Sequence, residues 1–429
     1  MKEEKLELKR ELGILEVTIS GIGIILGAGV YALIGEAAGL AGNAVWISFA
    51  LAALVAAFTG LSYAELSSIF PKASAEYEYT LNAFGSRIAF IIGWLIIFSG
   101  VIGAATVALG FAGYFNAITK VPLLPSALGL IIILSALLMA GIKQSTWVAI
   151  IFTLIESLGL AFIIALGIPY LGSVNYLEAP HGLDGIFKAA SLIFFAFIGF
   201  EEIVKLSEET RNPEKVIPRS LMIAVAVSIV LYILVSLSAV SVLGWQRLSE
   251  SSAPFGDIAF AAFGQSAFFI LSVIALFATT NTVLLMLLAA SRITYGMAKS
   301  GSLPRALDRI SASTRAPWTA ILAIMALTMA FVFLGDIGLV ASVTNFTLFV
   351  TFLTINAALI VLRYSSPRMV RPFRVPGTLG MMPIIPLLGL IFNIFLLSQL
   401  SLEVIAIGIV LTVLGGLFSL RKSRPEGRA

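Results

Sequence analysis

The sequence predicts an all-α integral membrane protein of about twelve transmembrane helices, and three observations lead there. Of its 429 residues 59% are hydrophobic and only 12% charged, a balance outside the soluble globular range. A helix needs roughly 20 apolar residues to cross the hydrocarbon core. Uncharged runs at least that long recur along the chain, among them Ile88 to Asn116, Ser220 to Gln246, Ile258 to Ser291 and Ile337 to Leu362. Charged or Pro/Gly-rich connections separate them.

Those connections put the crossings at Glu16 to Leu40, Ala44 to Ile69, Ile88 to Phe115, Leu123 to Gly141, Thr146 to Leu171 and Gly185 to Leu206. The next six are Arg219 to Leu243, Ile258 to Lys299, Pro317 to Leu334, Gly338 to Arg363, Pro383 to Gln399 and Leu402 to Leu420. The first apolar segment leads straight into further helices, unlike a signal peptide. With no cysteine there is no disulfide, thiolate ligand or cysteine nucleophile.

With the amino terminus in the cytoplasm, only Lys120, Lys188 and Arg247 of the 27 basic residues lie outside. The reverse orientation inverts that ratio and breaks the positive-inside rule. Both termini of a multi-pass protein of the plasma membrane are therefore expected in the cytoplasm. The basic clusters are expected to face membrane lipid, not nucleic acid.

Two crossings differ from the rest, and each opens a group of five helices. In the first, Gly21, Gly23, Gly27, Gly29 and Gly35 punctuate one span, with Gly27-Ala28-Gly29 near its midpoint. Glycine weakens a helix there and lets the backbone turn outward. The sixth keeps an unbroken apolar run only from Ala189 to Phe200 before Glu201 and Glu202, too short to cross alone. Both are expected to be discontinuous. Glycine in membrane helices also serves close packing, but broken helices in matching positions of two repeats point to a transporter's midplane site. Freed amides there hold an anion and freed carbonyls a cation, a pairing that suits an amino acid zwitterion.

At these residues the chain resembles the amino acid-polyamine-organocation (APC) transporter superfamily, from Leu12 to about Pro317. Gly27-Ala28-Gly29-Val30-Tyr31 is similar to the family's first-helix break, and Tyr63-Ala64-Glu65-Leu66, Pro71 and Glu76-Tyr77-Glu78-Tyr79 to its second-helix exit and inner loop. Phe194 to Glu201, Glu208-Glu209, Arg211-Asn212-Pro213, Ser291-Arg292, Tyr295 to Lys299, Gly301 and Leu303-Pro304 resemble two further signatures. One departure is Ser74-Ala75, where the family usually has paired glycines. The resemblance implies a leucine-transporter-like five-plus-five inverted repeat with two added helices. The chain then divides into an N-terminal segment 1–15, a first repeat 16–171, a second repeat 185–363, two further helices over 383–420 and a tail 421–429.

By this resemblance the substrate carboxylate meets the amides of Ala28 and Gly29 beside Gly27, and the ammonium meets carbonyls of Ile25, Phe195 and Ile198, next to Ala196. A helix amino terminus offers unpaired N–H groups and a carboxy terminus the opposite. Phe195 stands where relatives place an aromatic lid; packing is the plainer role. Ile97, Val101 and Met286 are expected beside the substrate side chain. None is charged, which argues for a small or apolar neutral side chain, since a charged one needs a buried partner. Asn345 either adds a hydrogen bond to the substrate or ties two helices together.

Glu156 sits mid-span in the fifth helix between Thr153 and Ser157, with no basic residue nearby. Many family members have lysine here. A carboxylate in hydrocarbon is costly to ionise. Glu156 therefore either carries the coupling proton, changing protonation between conformations, or stays protonated and bonds a neighbouring helix. Glu201 is a second candidate, relaying protons to the cytoplasm, while Glu202 is expected to face the inner loop or Lys205. Sodium is the alternative ion, with Thr279, Thr280 and Thr282 and first-helix carbonyls as hard oxygen ligands, although such hydroxyls usually bond their own backbone. No cofactor or metal centre is expected, and no nucleotide-binding string is present. His181, the only histidine, falls in an outer loop. An intramembrane enzyme lacks its catalytic constellation here; an exchanger and a non-transporting amino acid sensor remain as other readings of the same broken helices.

Overall fold

A computed structural model gives the fold; it describes residues 10–72, 74–141 and 146–421. Residues 1–9 of the expected N-terminal segment and 422–429 of the expected tail lie outside the described residues. Among the described residues, eight helical stretches are long and apolar enough to cross a membrane, and shorter apolar helices accompany them.

In chain order the α-helices are α1 (Ile14–Ile25), α2 (Gly29–Ala41), α3 (Val45–Ile69), α4 (Ala75–Phe84), α5 (Ser86–Thr119), α6 (Leu123–Met139), α7 (Thr146–Gly167) and α8 (Gly182–Ile193). There follow α9 (Pro213–Glu250), α10 (Pro254–Phe263), α11 (Gln265–Lys299), α12 (Trp318–Val332), α13 (Ile337–Ser365), α14 (Ile384–Ser398) and α15 (Leu402–Arg421). With α1 and α2 forming one interrupted crossing and α8 continuing as 3-10 turns, and with the short helices α4 and α10 set aside, twelve crossings result. This is the all-α fold of five plus five inverted helices and two additional ones.

Several boundaries differ from the sequence expectation. The eighth crossing, expected from Ile258, begins at Gln265, because the chain turns at Gly264 and Ile258 belongs to α10. An uncharged run carries no mark of a turn inside it when the turn residue is itself apolar. The seventh is longer than expected and bends at Gly244, which is not helical. The inner-loop stretch Glu76 to Tyr79 lies in α4. Ser74 precedes α4, and its carbonyl accepts from the Glu78 amide at 2.9 Å.

The bundle is apolar outside as well as inside, as a lipid solvent allows. On α7, Ile151, Leu154 and Leu158 face outward, at 54%, 54% and 64% exposed, whereas Leu160 and Ile163 are fully buried. Glu156 shares the inward face at 1%, since residues four and seven apart stack along one side of a helix. Its place along the apolar run sets its depth, and the rotation of α7 sets its direction.

Polar ties join α3, α13 and α14. Asn356 Nδ2 donates to Thr59 Oγ1 at 3.1 Å, Asn393 Nδ2 to the same hydroxyl at 3.1 Å, and Ser62 Oγ to Asn356 Oδ1 at 2.7 Å. One level along, the fully buried Glu65 accepts from Arg363 Nε at 3.0 Å, pairs with Arg363 Nη2 and with Arg371 Nε at 3.2 Å, and accepts from the Val375 amide at 2.7 Å. A carboxylate so deep is tolerable because its lone pairs are met by charged and backbone donors. At the same end of the bundle the segment before α1 bridges in parallel to Thr210, with Glu11 and Leu12 amides donating to Glu209 O, each at 3.0 Å, and the Arg211 amide donating to Leu12 O at 2.9 Å. The chain entering the first crossing is thus tied to the chain leaving the sixth.

Candidate functional site

The first crossing is interrupted over Leu26, Gly27 and Ala28. Its first half ends with the Leu26 amide donating to Ile22 O at 2.8 Å, and its second half starts with Ala32 N donating to Ala28 O at 3.0 Å. The amides of Gly29, Val30 and Tyr31 then have no acceptor four residues back, as at any helix start. Neighbouring helices satisfy two of the freed groups, as unwound backbone at membrane depth requires. Tyr232 of α9 donates its hydroxyl to Ile25 O at 2.6 Å, and Ala28 N donates to Thr282 Oγ1 of α11 at 3.1 Å.

The sixth crossing is broken differently. After Ile193 the chain runs as a 3-10 turn, Phe194–Phe197, becomes extended at Ile198 (φ −58°, ψ 136°), and passes through Gly199 at φ 116°. It then continues as 3-10 turns over Phe200–Glu209, not as an α-helix. Asn345 Nδ2 donates to Ser191 O at 2.7 Å and to Leu192 O at 2.9 Å, which makes Asn345 a tie between α13 and the last turn of α8. The Tyr232 hydroxyl also lies 2.9 Å from Ala196 O, and Glu201 Oε2 accepts from the Gly199 amide at 2.9 Å.

The two breaks touch. A Cβ at Gly29 would lie 2.7 Å from the Ala196 Cα, and one at Gly199 would lie 2.8 Å from Ile24 O. Glycine is therefore needed at 29 for close approach and at 199 for both approach and conformation.

A cavity of about 280 Å³ lies against them. Of the residues expected from sequence, Ile25, Gly27, Ala28, Gly29, Phe195, Ala196, Ile198, Met286, Glu156 and Glu201 line it. Ile97 and Val101 do not: both are buried in the core, and α5 presents Ile96, Ser99 and Gly100 to the cavity instead. An offset of one residue turns a helix by about 100°, and in the largely apolar α5 the polar Ser99 is the mark of the face that meets the cavity. Asn281, Thr282, Glu202 and Arg292 also line the cavity. Asn281 was legible in principle, as a polar residue midway along a membrane helix, and Thr282 was expected only as an alternative sodium ligand.

The Ile25 carbonyl, expected for the ammonium, is engaged by Tyr232, although a carbonyl keeps a second lone pair. Glu156 Oε1 accepts from Asn281 Nδ2 at 3.2 Å, and Tyr31 donates its hydroxyl to the Glu156 backbone oxygen at 2.8 Å. Glu202 pairs with Lys205. Beneath them Glu76 of α4, 3% exposed, accepts from the Tyr63 hydroxyl at 3.5 Å. Burial raises the Glu76 carboxyl above its ordinary range, partly opposed by Lys205. Thr279 returns its hydroxyl to Ala275 O at 2.7 Å and Thr282 donates to Ala278 O at 3.0 Å, so both spend their protons on their own helix.

The cavity leads toward the end where α11 finishes. Leu285, Met286, Ala289 and Ile293 are half-buried along that path and Arg292 is exposed, whereas α5 is buried throughout residues 101–110 in the other direction. A second cavity, of about 590 Å³, lies beyond the first turn of α2, lined by Tyr31, Glu36, Tyr114 and Asp336 among others. Tyr31 packs edge-on to Phe255 at 4.8 Å, and Tyr114 donates to Tyr31 O at 3.0 Å. About one helical turn thus separates two cavities on opposite sides of the breaks. His181 is exposed in its loop.

Comparison with known proteins gives a consistent result. Residues 12–420 match the family described as amino acid permease. The branched-chain amino acid permease BcaP of Bacillus subtilis is 31% identical over 417 residues, covering 92% of this chain and 89% of that one. The methylthioribose transporter of Bacillus subtilis is 32% identical, covering 89% and 86%. The vacuolar cationic amino acid transporter 4 of Arabidopsis thaliana is 32% identical, covering 84% of this chain and 64% of its own length. With a family match over nearly the whole chain, a helix broken at each of two adjacent crossings and a cavity against both breaks, this is a multi-pass membrane transporter of amino acids or related solutes and belongs to the amino acid permease family of the APC superfamily.

Proposed function

We propose that the protein imports a small or apolar neutral amino acid across the plasma membrane by alternating access, coupled to a proton. The observation that carries this reading is the contact between the two breaks, which brings the Ala28 amide and the chain around Ala196 to one cavity. A zwitterion is met there by helix dipoles without a buried ionic partner. The cavity suits a small ligand, and Ile96, Gly100, Leu285 and Met286 offer its side chain apolar contact. The name of the BcaP relative supports a branched-chain neutral substrate.

In this reading Glu156 holds the coupling proton and Asn281 orients it, with Glu201 as a relay toward the cytoplasm. One charge crossing 100 mV gains about 2.3 kcal/mol, and a tenfold proton gradient adds about 1.4 kcal/mol. Together they concentrate a substrate several-hundredfold with no nucleotide. Both termini face the cytoplasm, so the first cavity opens inward; the repeats run over 16–171 and 185–363, with 383–420 added. Sodium coupling and amino acid exchange are the alternatives within transport.

A cationic substrate is the second reading, favoured by the carboxylates of Glu156 and Glu201 on the cavity wall and by the printed name of the Arabidopsis relative. Uptake of labelled leucine, alanine, arginine and glutamate into proteoliposomes separates them, with proton and sodium gradients imposed in turn. Leucine or alanine accumulation driven by protons is expected, lost in Glu156→Gln while binding remains. Driven uptake of arginine alone would replace the neutral reading, and undiminished driven uptake by Glu156→Gln would remove that residue from coupling.

A further inference from the structure

We propose that Thr282 is a built-in stand-in for the substrate carboxylate, occupying the Ala28 amide whenever the inward cavity is empty. This rests on the reading that the amide binds a carboxylate. Thr282 lines the cavity, half-buried, and its Oγ1 lies 3.1 Å from Ala28 N. Its single proton is already given to Ala278 O at 3.0 Å. The hydroxyl therefore meets Ala28 purely as an acceptor, the same role a carboxylate oxygen would take. A Cβ at residue 27 would come within 3.1 Å of that oxygen, so Gly27 leaves the space in which the contact forms.

The consequence is competition. An amide stranded at membrane depth is costly, so the threonine stabilises the empty carrier and lowers its affinity for substrate. A carboxylate accepts a charge-assisted and stronger hydrogen bond, and so displaces the hydroxyl when substrate is abundant. On dilution the hydroxyl returns, which favours release and lets the empty protein change sides. Thr282 is thus a positioning residue whose oxygen trades affinity for turnover.

Thr282→Val keeps the shape and removes the acceptor; Thr282→Ala removes the same oxygen and serves if the valine variant fails to fold. Binding of L-leucine and L-alanine to the purified full-length protein is expected to tighten roughly three- to tenfold in either variant, the net worth of one hydrogen bond. Isoamylamine, which has no oxygen to offer the Ala28 amide, is expected to bind each variant and the wild type alike. Net uptake, which needs the empty carrier to return, is expected to fall several-fold while leucine/leucine exchange holds, and Thr282→Ser should restore the wild-type pattern. Weaker or unchanged amino acid binding, or an equal fall in net uptake and exchange, would overturn the role. If the wild type binds isoamylamine as tightly as L-leucine, the carboxylate site itself fails and the stand-in with it; a wild type that distinguishes them, with variants that bind L-leucine no tighter, sinks the stand-in alone.

Discussion

The two broken crossings solve the same problem in different ways. The first resumes as an α-helix after three residues and so presents a fresh helix start, with its amides, beside the Ile25 carbonyl. The sixth never resumes as an α-helix: it passes through a left-handed glycine and continues as 3-10 turns to Glu209. Side chains close its exposed groups, with Asn345 on the last turn of α8 and Glu201 on the Gly199 amide. The first break is thus a short gap with strong dipoles, the sixth a long irregular segment held by partners. One residue, Tyr232, serves both, its hydroxyl reaching Ile25 O and Ala196 O.

If this contrast holds, the sixth break is the more sensitive to conformation and the first to polarity. The largest effect is expected at Gly199. Alanine there must adopt φ 116° and meet Ile24 O, so transport should fall more than about tenfold, with about 2–3 kcal/mol lost in thermal stability. Retained transport by Gly199→Ala would mean that the observed turn is dispensable. Tyr232→Phe removes the one proton that Ile25 O and Ala196 O share, a loss of about 1–3 kcal/mol. Its signature is that both breaks loosen together, read as faster amide exchange around Leu26 and around Phe197; loosening of only one would dissolve the shared tie. Asn345→Leu should lower stability by about 1–2 kcal/mol and loosen the sixth crossing alone.

The smallest effect is a pH dependence beside the second half of the sixth crossing. Glu76 faces Tyr63, Lys205 and Glu202, and burial holds its carboxyl above the ordinary value of 4.5. The folded protein therefore keeps this proton longer than the unfolded chain does. Its stabilising contribution is full below about pH 4.5 and declines as the pH rises toward the raised value. Thermal melting of Glu76→Gln should match the wild type near pH 4 and gain on it progressively above that. A constant offset across pH would show that Glu76 does not titrate in this window.

Much of this architecture was legible before any coordinates. Hydrophobic length and punctuation gave the crossings, and Gly27-Ala28-Gly29 and Glu201-Glu202 located the breaks, because glycine and charge in an apolar run leave a mark in one dimension. Glu156 was visible for the same reason. What stayed hidden depends on rotation and on long-range partners. Ile97 and Val101 are no more apolar than Ile96, and the hydroxyl of Ser99 was the mark on α5 of the face that meets the cavity. Tyr232 reaches both breaks from a helix remote in sequence, and Thr282, named only as an alternative sodium ligand, meets the Ala28 amide instead. Glu65, noted only within a signature, proves to be the centre of a buried pairing with Arg363 and Arg371 that no local pattern announces.

The central claim is that one cavity grips both charges of an amino acid through the two breaks. Competition against bound L-leucine by isocaproate, which lacks the ammonium, and by isoamylamine, which lacks the carboxylate, tests it directly. Each is expected to compete at least about a hundredfold more weakly than L-leucine, since each leaves one set of charge-assisted hydrogen bonds unmade. If either competes as well as the whole amino acid, the corresponding pole of the breaks holds no substrate and the account is contradicted.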